Sequence, residues 1–251
     1  MTKNKIINNK NKKLNSTNNN LERHSEKFVQ FYGMKVPTLL AKYLKKTKFS
    51  SIIDCGCGDG ILLDALIKGN YLKNKKIIAI DLSKRRIANI NKLDKSISAR
   101  VDSAEDLETV KDKSIDFFIS TQVIEHVDDI KMINTIHRVL KKNGTAYVTT
   151  VFKKWYGWYF YRRKGKWVLD STHLREYEKD DELLSLIDNK RFIIIETKKQ
   201  QIWFPVMDFV LRRLSINNSN FFNNNNLLKQ IRRISIPILG YYDWEIVFKK
   251  R

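Results

Sequence analysis

The chain has 251 residues, of which 42% are hydrophobic, and this is enough for one domain with a sizeable core. No apolar stretch approaches the roughly 20 residues that a membrane-spanning helix needs. The N-terminus is rich in Lys and Asn and lacks the apolar core of a secretory signal. Both cysteines fall in one short loop, which argues against a disulfide framework and favours a reduced, cytoplasmic protein.

The net charge of +21 is large, with 48 Lys and Arg against 27 Asp and Glu. Such a charge favours a polyanionic partner, either nucleic acid or an anionic inner membrane surface to which the protein would bind peripherally. The same excess also follows from codon composition, because Lys, Asn and Ile are abundant here and all have AT-rich codons. The composition alone leaves both explanations open.

Residues 1–20 are expected to be a disordered basic tail. Apolar residues at helical spacing then predict a helical N-terminal extension from residue 21 to about residue 48. The middle of the chain alternates strands and helices, which predicts a parallel sheet covered on both faces. Strands are expected at 51–55, 76–80, 97–101, 115–120 and 145–151. Helices are expected at 61–68, 84–93 and 129–141, the last stopped by Asn143 and Gly144.

The pattern changes after Phe152. A helix is predicted near 179–187, and strands are predicted at 192–197 and 244–248. Residues 200–240 are expected to form a largely helical lid insertion, in which 203–214 has the pattern of an amphipathic helix. One domain is therefore predicted over 21–251, with a ligand-binding core at about 50–151 and substrate-covering elements at about 152–176 and 200–240.

The most informative motif is a glycine-rich turn between the first core strand and its helix. It reads Asp54-Cys55-Gly56-Cys57-Gly58-Asp59-Gly60. Glycines permit positive φ and let a ligand lie against the backbone, and the helix that follows presents free N–H groups. Asp81 ends the next strand, where a carboxylate can accept both hydroxyls of a ribose. The dinucleotide fingerprint G-x-G-x-x-G does not fit, because Ile61 or Leu63 would fall at its third glycine.

This arrangement resembles motif I of the class I S-adenosylmethionine-dependent methyltransferases. The resemblance implies a Rossmann-like three-layer α/β fold with a mainly parallel seven-stranded sheet, and S-adenosylmethionine as the cofactor, leaving as S-adenosylhomocysteine. It also implies a set of cofactor-binding residues, namely Asp54, Gly56, Cys57, Gly58, Gly60, Asp81, Leu82, Ser103, Ala104 and Gln122.

Three further segments extend the resemblance. Residues 101–107, with the sequence VDSAEDL, are similar to the adenine-binding turn, although Ser103 stands where the family usually has an acid and Asp102 comes one residue earlier. Residues 123–127, VIEHV, are typical of methyltransferases acting on small molecules, lipids and quinones. Residues 173–177, HLREY, resemble a segment that precedes the sixth strand in the same group.

Methyl transfer to a hydroxyl usually needs a base, and neutral histidine suits that task near pH 7. His126 follows the fourth strand and His173 lies in the HLREY segment, so both are candidate catalytic residues. Each also has a structural alternative, as a loop-stabilising hydrogen bond for His126 and as a backbone-ordering contact for His173. His24 and His137 are interpreted as structural or solvent-exposed.

No firmly bound metal is predicted. Some quinone O-methyltransferases that resemble this sequence bind a divalent cation through E-x-x-E-H, but Gln122 replaces the first Glu here. Cys55 and Cys57 supply only two sulfurs, too few for a zinc site, and are interpreted as small side chains filling a tight loop.

The stretch 155–164 interleaves aromatic and basic residues, which suits base stacking, a lipid–water interface or a packed lid helix. The favoured function is O-methylation of a small or lipid-linked molecule, such as a saccharide, quinone or polar lipid precursor. One alternative is an RNA methyltransferase, although the [DNS]-P-P-[YFW] motif of base amino-methylases is absent after the fourth strand. The other alternative is a non-catalytic protein that binds S-adenosylmethionine.

Overall fold

A computed structural model describes residues 35–163, 165–187, 190–213, 227, 230 and 234–251. The predicted basic tail at 1–20 and the first part of the predicted helical extension, 21–34, lie outside the described residues. The helices are α1 (Thr38–Lys46), α2 (Ile61–Lys68), α3 (Lys84–Leu93), α4 (Asp129–Val139), α5 (Asp181–Ile187) and α6 (Val206–Arg213), with a short 3₁₀ helix at Ile124–His126. The strands are β1 (Ser51–Cys55), β2 (Lys76–Asp81), β3 (Ser98–Val101), β4 (Ile115–Thr121), β5 (Leu140–Lys153), β6 (Tyr161–Arg163), β7 (Lys166–Val168), β8 (Phe192–Pro205) and β9 (Ser235–Lys250).

Seven of these strands form one sheet in the order β3-β2-β1-β4-β5-β9-β8. The pairs from β3 to β5 are parallel, and β9 runs antiparallel to both of its neighbours, so the prediction of a mainly parallel seven-stranded sheet is confirmed. The strand order reverses between β1 and β4. In open sheets of this kind, ligands bind at the carboxyl ends of the strands beside such a reversal.

The core lies on both faces of the sheet, because alternate residues of the apolar strands point to opposite sides. One face packs against helices α1, α2 and α3 through residues such as Leu40, Leu63 and Ile90. The other face packs against α4 and α5 through Met132 and Leu183. A sheet buried on both sides leaves its strand ends as the place for a ligand.

The predicted helix at 129–141 is two residues too long. Helix α4 ends at Val139, because Leu140 is buried and pairs with Ile115 as the first residue of β5. Asn143 has φ of 64°, and the strand register shifts before the next pairing, Phe117 with Thr145. Asn143 and Gly144 therefore form an irregularity at the start of β5 and do not end the helix.

The prediction of a largely helical insertion over 200–240 is wrong for its described ends. Strand β8 continues to Pro205 and β9 begins at Ser235, and the two pair along their length. Helix α6 begins only at Val206, so the first part of the predicted amphipathic helix at 203–214 is strand. Strand pairing between residues more than 30 positions apart overrides the local helical pattern here.

The interpretation of 155–164 as a packed lid helix is also wrong. Residues Tyr161–Arg163 and Lys166–Val168 pair as a small antiparallel hairpin. Gly165, with φ of 80°, lies in the turn, and Tyr, Trp and Val favour strands.

Within the described parts of the chain, no helix combines the length and the apolar character needed to cross a membrane.

Candidate functional site

The glycine loop lies at the carboxyl end of β1, as predicted. Gly56, Gly58 and Gly60 have φ of 79°, 55° and 81°. A Cβ on Gly56 would lie 2.2 Å from Cγ2 of Val123, so this position needs glycine for packing as well as for φ. A Cβ on Gly58 would meet nothing within 4 Å in the described structure. The loop therefore has one glycine packed against protein and one that faces open space.

Asp81 ties this loop to the end of β2. One carboxylate oxygen accepts a hydrogen bond from the backbone N–H of Gly58 at 3.0 Å, and the other accepts from that of Ser83 at 2.8 Å. Arg86 lies 3.6 Å from the same carboxylate. Each carboxylate oxygen has a second lone pair, so these bonds hold Asp81 at the loop and leave acceptor capacity for a ligand.

Asp54 is almost fully buried at the end of β1, with 2% of its surface exposed. Neither of its carboxylate oxygens has a hydrogen-bond partner among the described residues. Burial, with a smaller contribution from the charge of Asp81, raises the pKa of Asp54 to about 7. An unpaired carboxylate in such a position is costly, and a bound cation would remove that cost.

The turn after β3 places the two candidate adenine contacts differently. Asp102 accepts hydrogen bonds from the backbone N–H of Ser103 and from both the backbone N–H and the hydroxyl of Thr109, each at 2.7 Å. The Ser103 hydroxyl oxygen accepts one bond, from the N–H of Glu105 at 3.1 Å, and its proton is not committed to that bond. Asp102 thus stabilises its own loop, and Ala104 is buried in the core beside it.

Gln122 follows β4 with φ of 55°. Its amide nitrogen donates to Asp243 at 2.6 Å and lies 3.4 Å from the Thr149 hydroxyl, so the side chain is held toward β9 and β5. Burial, followed by the charge of Glu245, raises the pKa of Asp243 to about 6. Asp243 was not predicted as a site residue, because its contact with Gln122 spans 121 positions.

The two candidate histidines, which are 47 positions apart in sequence, are brought together. The rings of His126 and His173 lie 4.7 Å apart between centroids, at 69°. Leu174 donates its N–H to the carbonyl of Glu125 at 2.8 Å. The Arg175 guanidinium donates to the carbonyl of Val127 at 2.5 Å. These backbone and side-chain hydrogen bonds therefore hold the HLREY segment against the VIEHV loop, which fixes the pair.

Hydrogen bonds define the tautomer of His126. The Thr172 hydroxyl donates its single proton to the Asp170 carboxylate at 2.7 Å, and it also lies 3.1 Å from Nδ1 of His126. The hydroxyl must therefore accept from Nδ1–H, and the lone pair of the neutral imidazole lies on Nε2. Burial, then the charge of His173, lowers the pKa of His126 to about 4.

His173 is held in the same way by Glu176. Its Nδ1 lies 2.9 Å from a Glu176 carboxylate oxygen, and both side chains are 4% exposed. A carboxylate accepts only, so Nδ1 carries a proton and a neutral His173 also keeps its lone pair on Nε2. The sequence did not identify Asp170, Thr172 or Glu176 as partners of histidine.

Glu125 lies next to the histidine pair and is fully buried. One carboxylate oxygen accepts from the Thr150 hydroxyl at 3.0 Å, and the other has no partner among the described residues. Burial is the main cause that raises its pKa to about 7. Glu125, His126 and His173 each offer a ligand atom, and these atoms lie within 4.8 Å of one another, so the three residues could hold a cation. The amide of Gln122 instead donates to Asp243. The expectation of no firmly bound metal stays a prediction.

The remaining predicted site residues, Cys57 and Leu82, fill space in the loops after β1 and β2. Cys57 is buried with its thiol 3.7 Å from the Gly58 carbonyl, and burial raises the pKa of both cysteine thiols. Both cysteines are free. Leu82 is partly buried between Asp81 and the Ser83 cap of α3. These residues support the loop by filling space.

Comparison with known proteins shows similarity to methyltransferases over part of the chain. Residues 53–148 match the family described as a methyltransferase domain. A ubiquinone biosynthesis O-methyltransferase from Bartonella quintana is 26% identical over 159 residues, which cover 58% of this chain and 61% of that protein. The chain therefore spans less than two thirds of the length of this curated relative.

Solved structures share the fold at low identity. A geranyl diphosphate methyltransferase in complex with S-adenosylmethionine has a TM-score of 0.57 and 14% identity, covering 85% of this chain and 83% of that one. The [4+2]-cyclase SpnF has a TM-score of 0.56 and 17% identity, covering 84% and 79%. The fold is thus that of the class I methyltransferases. Residues 53–148 are in addition similar to the methyltransferase domain family.

Proposed function

We propose that this chain transfers the methyl group of S-adenosylmethionine to a hydroxyl of a small or lipid-linked molecule. The buried Asp54 carboxylate, which has no partner among the described residues, is the single observation that best supports cofactor binding. It lies at the end of β1 beside a glycine loop with open space at Gly58. A ligand with a cationic amino acid end satisfies such a carboxylate.

The other cofactor contacts follow from the strand order. Because β1, β2 and β3 are adjacent and parallel, their carboxyl ends meet at one edge. Asp81 would accept the ribose hydroxyls with its remaining lone pairs, and Ser103 would meet the adenine with its hydroxyl. We assign the adenine contact to Ser103 and not to Asp102, because hydrogen bonds from Ser103 and Thr109 already hold the Asp102 carboxylate in its own loop.

His126 is the base that we propose for the acceptor. When bound, S-adenosylmethionine supplies an electrophilic methyl group on a positively charged sulfur, which leaves as a neutral thioether. The acceptor hydroxyl loses its proton to Nε2 of His126, whose Nδ1 is held by Thr172. The lowered pKa keeps His126 neutral near pH 7, so the lone pair on Nε2 is not protonated.

The acceptor class rests on the relatives and on the loop after β4. The matched relative is a ubiquinone biosynthesis O-methyltransferase, whose name specifies transfer to oxygen in the biosynthesis of a quinone. A neutral imidazole beside buried Glu125 suits a hydroxyl, because a hydroxyl must lose a proton on methylation while an amine can lose it afterwards. We therefore propose a hydroxyl group as the methyl acceptor, and the assay identifies the molecule that carries it.

The test is transfer of labelled methyl from S-adenosylmethionine to a panel of catechols, hydroxybenzoates, saccharides and RNA. We expect label in a hydroxyl acceptor, and a loss of at least about 100-fold for His126→Asn with cofactor affinity unchanged. A His126→Asn variant as active as the wild type would remove the base from the mechanism. Transfer of label to RNA alone would contradict a small or lipid-linked acceptor. No transfer to any acceptor would contradict the proposal that the chain is an enzyme.

A cofactor-binding arm uses Asp81→Ala, with Asp94→Ala as its control. Asp81→Ala should weaken cofactor binding by about 1–3 kcal/mol, the scale of lost charge-assisted hydrogen bonds. Asp94 accepts a backbone hydrogen bond from Ser96 just after helix α3, so its loss should leave the affinity unchanged. Equal affinities for the two variants would show that Asp81 does not contact the ribose. Repeating the activity assay with a chelator tests the Glu125–His126–His173 group, and unchanged activity is expected.

A further inference from the structure

We infer that the surface formed by residues 154–163 and 165–168 together with Leu239, here called the aromatic-basic face, docks the protein onto an anionic lipid membrane. Docking and methyl transfer are separate properties, and either can hold without the other. The face lies beyond the carboxyl end of β5, at the same edge of the sheet as the histidine pair.

The composition of this face suits a lipid–water interface. The face contains four basic residues, seven aromatic residues and no acidic residue. Trp155 is 87% exposed and Phe160 is 65% exposed, and Leu239 beside them is 67% exposed. Large exposed apolar side chains scattered singly are common, but a contiguous group rimmed by cations marks an interaction surface.

The backbone holds these side chains outward. A Cβ on Gly240 would lie 2.5 Å from the Cα of Gly157, so the two glycines bring the segment directly against β9. Lys154 donates its N–H to the carbonyl of Gly240 at 2.8 Å, and Trp158 donates to that of Leu239 at 3.4 Å. Leu239 is thereby fixed beside the aromatic residues, and backbone hydrogen bonds hold the face against β9.

The ring geometry favours lipid over nucleic acid. Trp158 meets Phe160 at 67° and Trp167 at 61°, so the rings pack edge to face on one another. Binding of single-stranded nucleic acid uses ring faces on which bases stack. Leu239, Ile236 (55% exposed) and Phe209 (56% exposed) add apolar surface that stacking does not need. Trp and Tyr among cations are typical of membrane interfaces.

Three cations of the face, Lys154, Arg162 and Lys166, are exposed to anionic headgroups. The ion pair found for this segment within the described structure joins Lys166 to Glu178 at a long 3.8 Å, between two exposed side chains. The Arg162 guanidinium lies 4.1 Å from the centre of the Trp167 ring, an aromatic partner that does not neutralise its charge. Anionic lipid is therefore complementary to the face in charge as well as in polarity.

The experiment is flotation of the full chain with vesicles of phosphatidylcholine alone and of phosphatidylcholine mixed equally with phosphatidylglycerol. We expect binding only to the anionic vesicles, weakening as salt is raised. Trp155→Ala/Phe160→Ala and Lys154→Gln/Arg162→Gln/Lys166→Gln should each reduce binding by about tenfold or more. Thermal melting identical to wild type establishes that each variant is folded.

Matched controls lie at the opposite edge of the sheet. Ile193→Ala removes an exposed apolar residue at the start of β8, and Lys48→Gln/Lys73→Gln/Lys76→Gln removes three exposed charges before and at the start of strands β1 and β2. Both should bind vesicles as the wild type does. Equal losses for the charge control and the face variant would overturn the inference, because diffuse charge would then explain binding.

Three other outcomes would also overturn it. The first is that the chain does not bind anionic vesicles. The second is that it binds RNA through the face but does not bind vesicles. The third is that it self-associates without binding vesicles, and that Trp155→Ala/Phe160→Ala abolishes the self-association. Methyl transfer to a water-soluble acceptor is measured separately, so a failure of docking leaves the proposed function standing.

Discussion

The two halves of the sheet differ in how they are specified. In the half formed by β1 to β4, short local signals set each element, such as glycines with positive φ after β1 and the capping side chains of Ser83 and Asp128. In the half formed by β5, β8 and β9, pairing between distant residues decides the structure, as between Trp203 and Pro237. The first half forms the candidate cofactor site, and the second forms the acceptor side and the aromatic-basic face. Local motifs therefore identify the chemistry better than they identify the partner.

The largest expected effect comes from a substitution in the glycine loop of the half formed by β1 to β4. Gly56→Ala introduces a Cβ that would lie 2.2 Å from Val123, at φ of 79°, and should reduce the free energy of unfolding by about 2–4 kcal/mol. Gly58→Ala is the matched comparison, because its Cβ meets open space. It should cost about 1–2 kcal/mol in stability and weaken cofactor binding by about tenfold. Denaturant unfolding and calorimetry separate the two, and equal stability losses would contradict the difference described between these glycines.

A smaller effect concerns the pH dependence of stability. The pKa of Asp54 is raised to about 7 in the folded chain, above its ordinary value of 3.8, so the folded state binds more protons between these values. Without cofactor, stability should therefore fall as pH rises from about 4 to about 7, by up to about 1.4 kcal/mol per pH unit.

Asp54→Asn should flatten this dependence, because the amide cannot ionise. Denaturation midpoints across that range measure the slope for wild type and variant. Glu125 has a similarly raised pKa, so part of the slope should remain. An unchanged slope in Asp54→Asn would show that Asp54 is paired in the folded protein.

The smallest of these effects concerns the histidine pair. Because the pKa of His126 is lowered to about 4, the acid limb of the methyl-transfer rate should fall near pH 4, well below the ordinary pKa of histidine. Thr172→Val removes the acceptor of Nδ1–H and should lower kcat by about tenfold with cofactor affinity unchanged. Thr172→Ser, which keeps the hydroxyl, should restore the rate. An acid limb near pH 6.5, or no rescue by Ser, would contradict the role given to His126.

The accuracy of the sequence-based predictions differs between the same two halves of the sheet. Helices α2 and α3 and strand β1 have the predicted bounds, because their starts and stops are encoded within a few residues. The length of β8 was missed because its partner residues on β9 lie far along the chain. The positions of Asp54, Asp81 and both histidines at the strand ends were predicted. Their partners Thr172, Glu176 and Asp243 were not, because only tertiary contacts define them.

The most direct test of the central claim is calorimetry of the purified chain with S-adenosylmethionine, S-adenosylhomocysteine and NAD. We expect dissociation constants of about micromolar for the two sulfur compounds, roughly 8 kcal/mol of binding free energy, and no binding of NAD. Binding of NAD, or no binding of either sulfur compound, would contradict the assignment of the glycine loop and Asp54 to this cofactor.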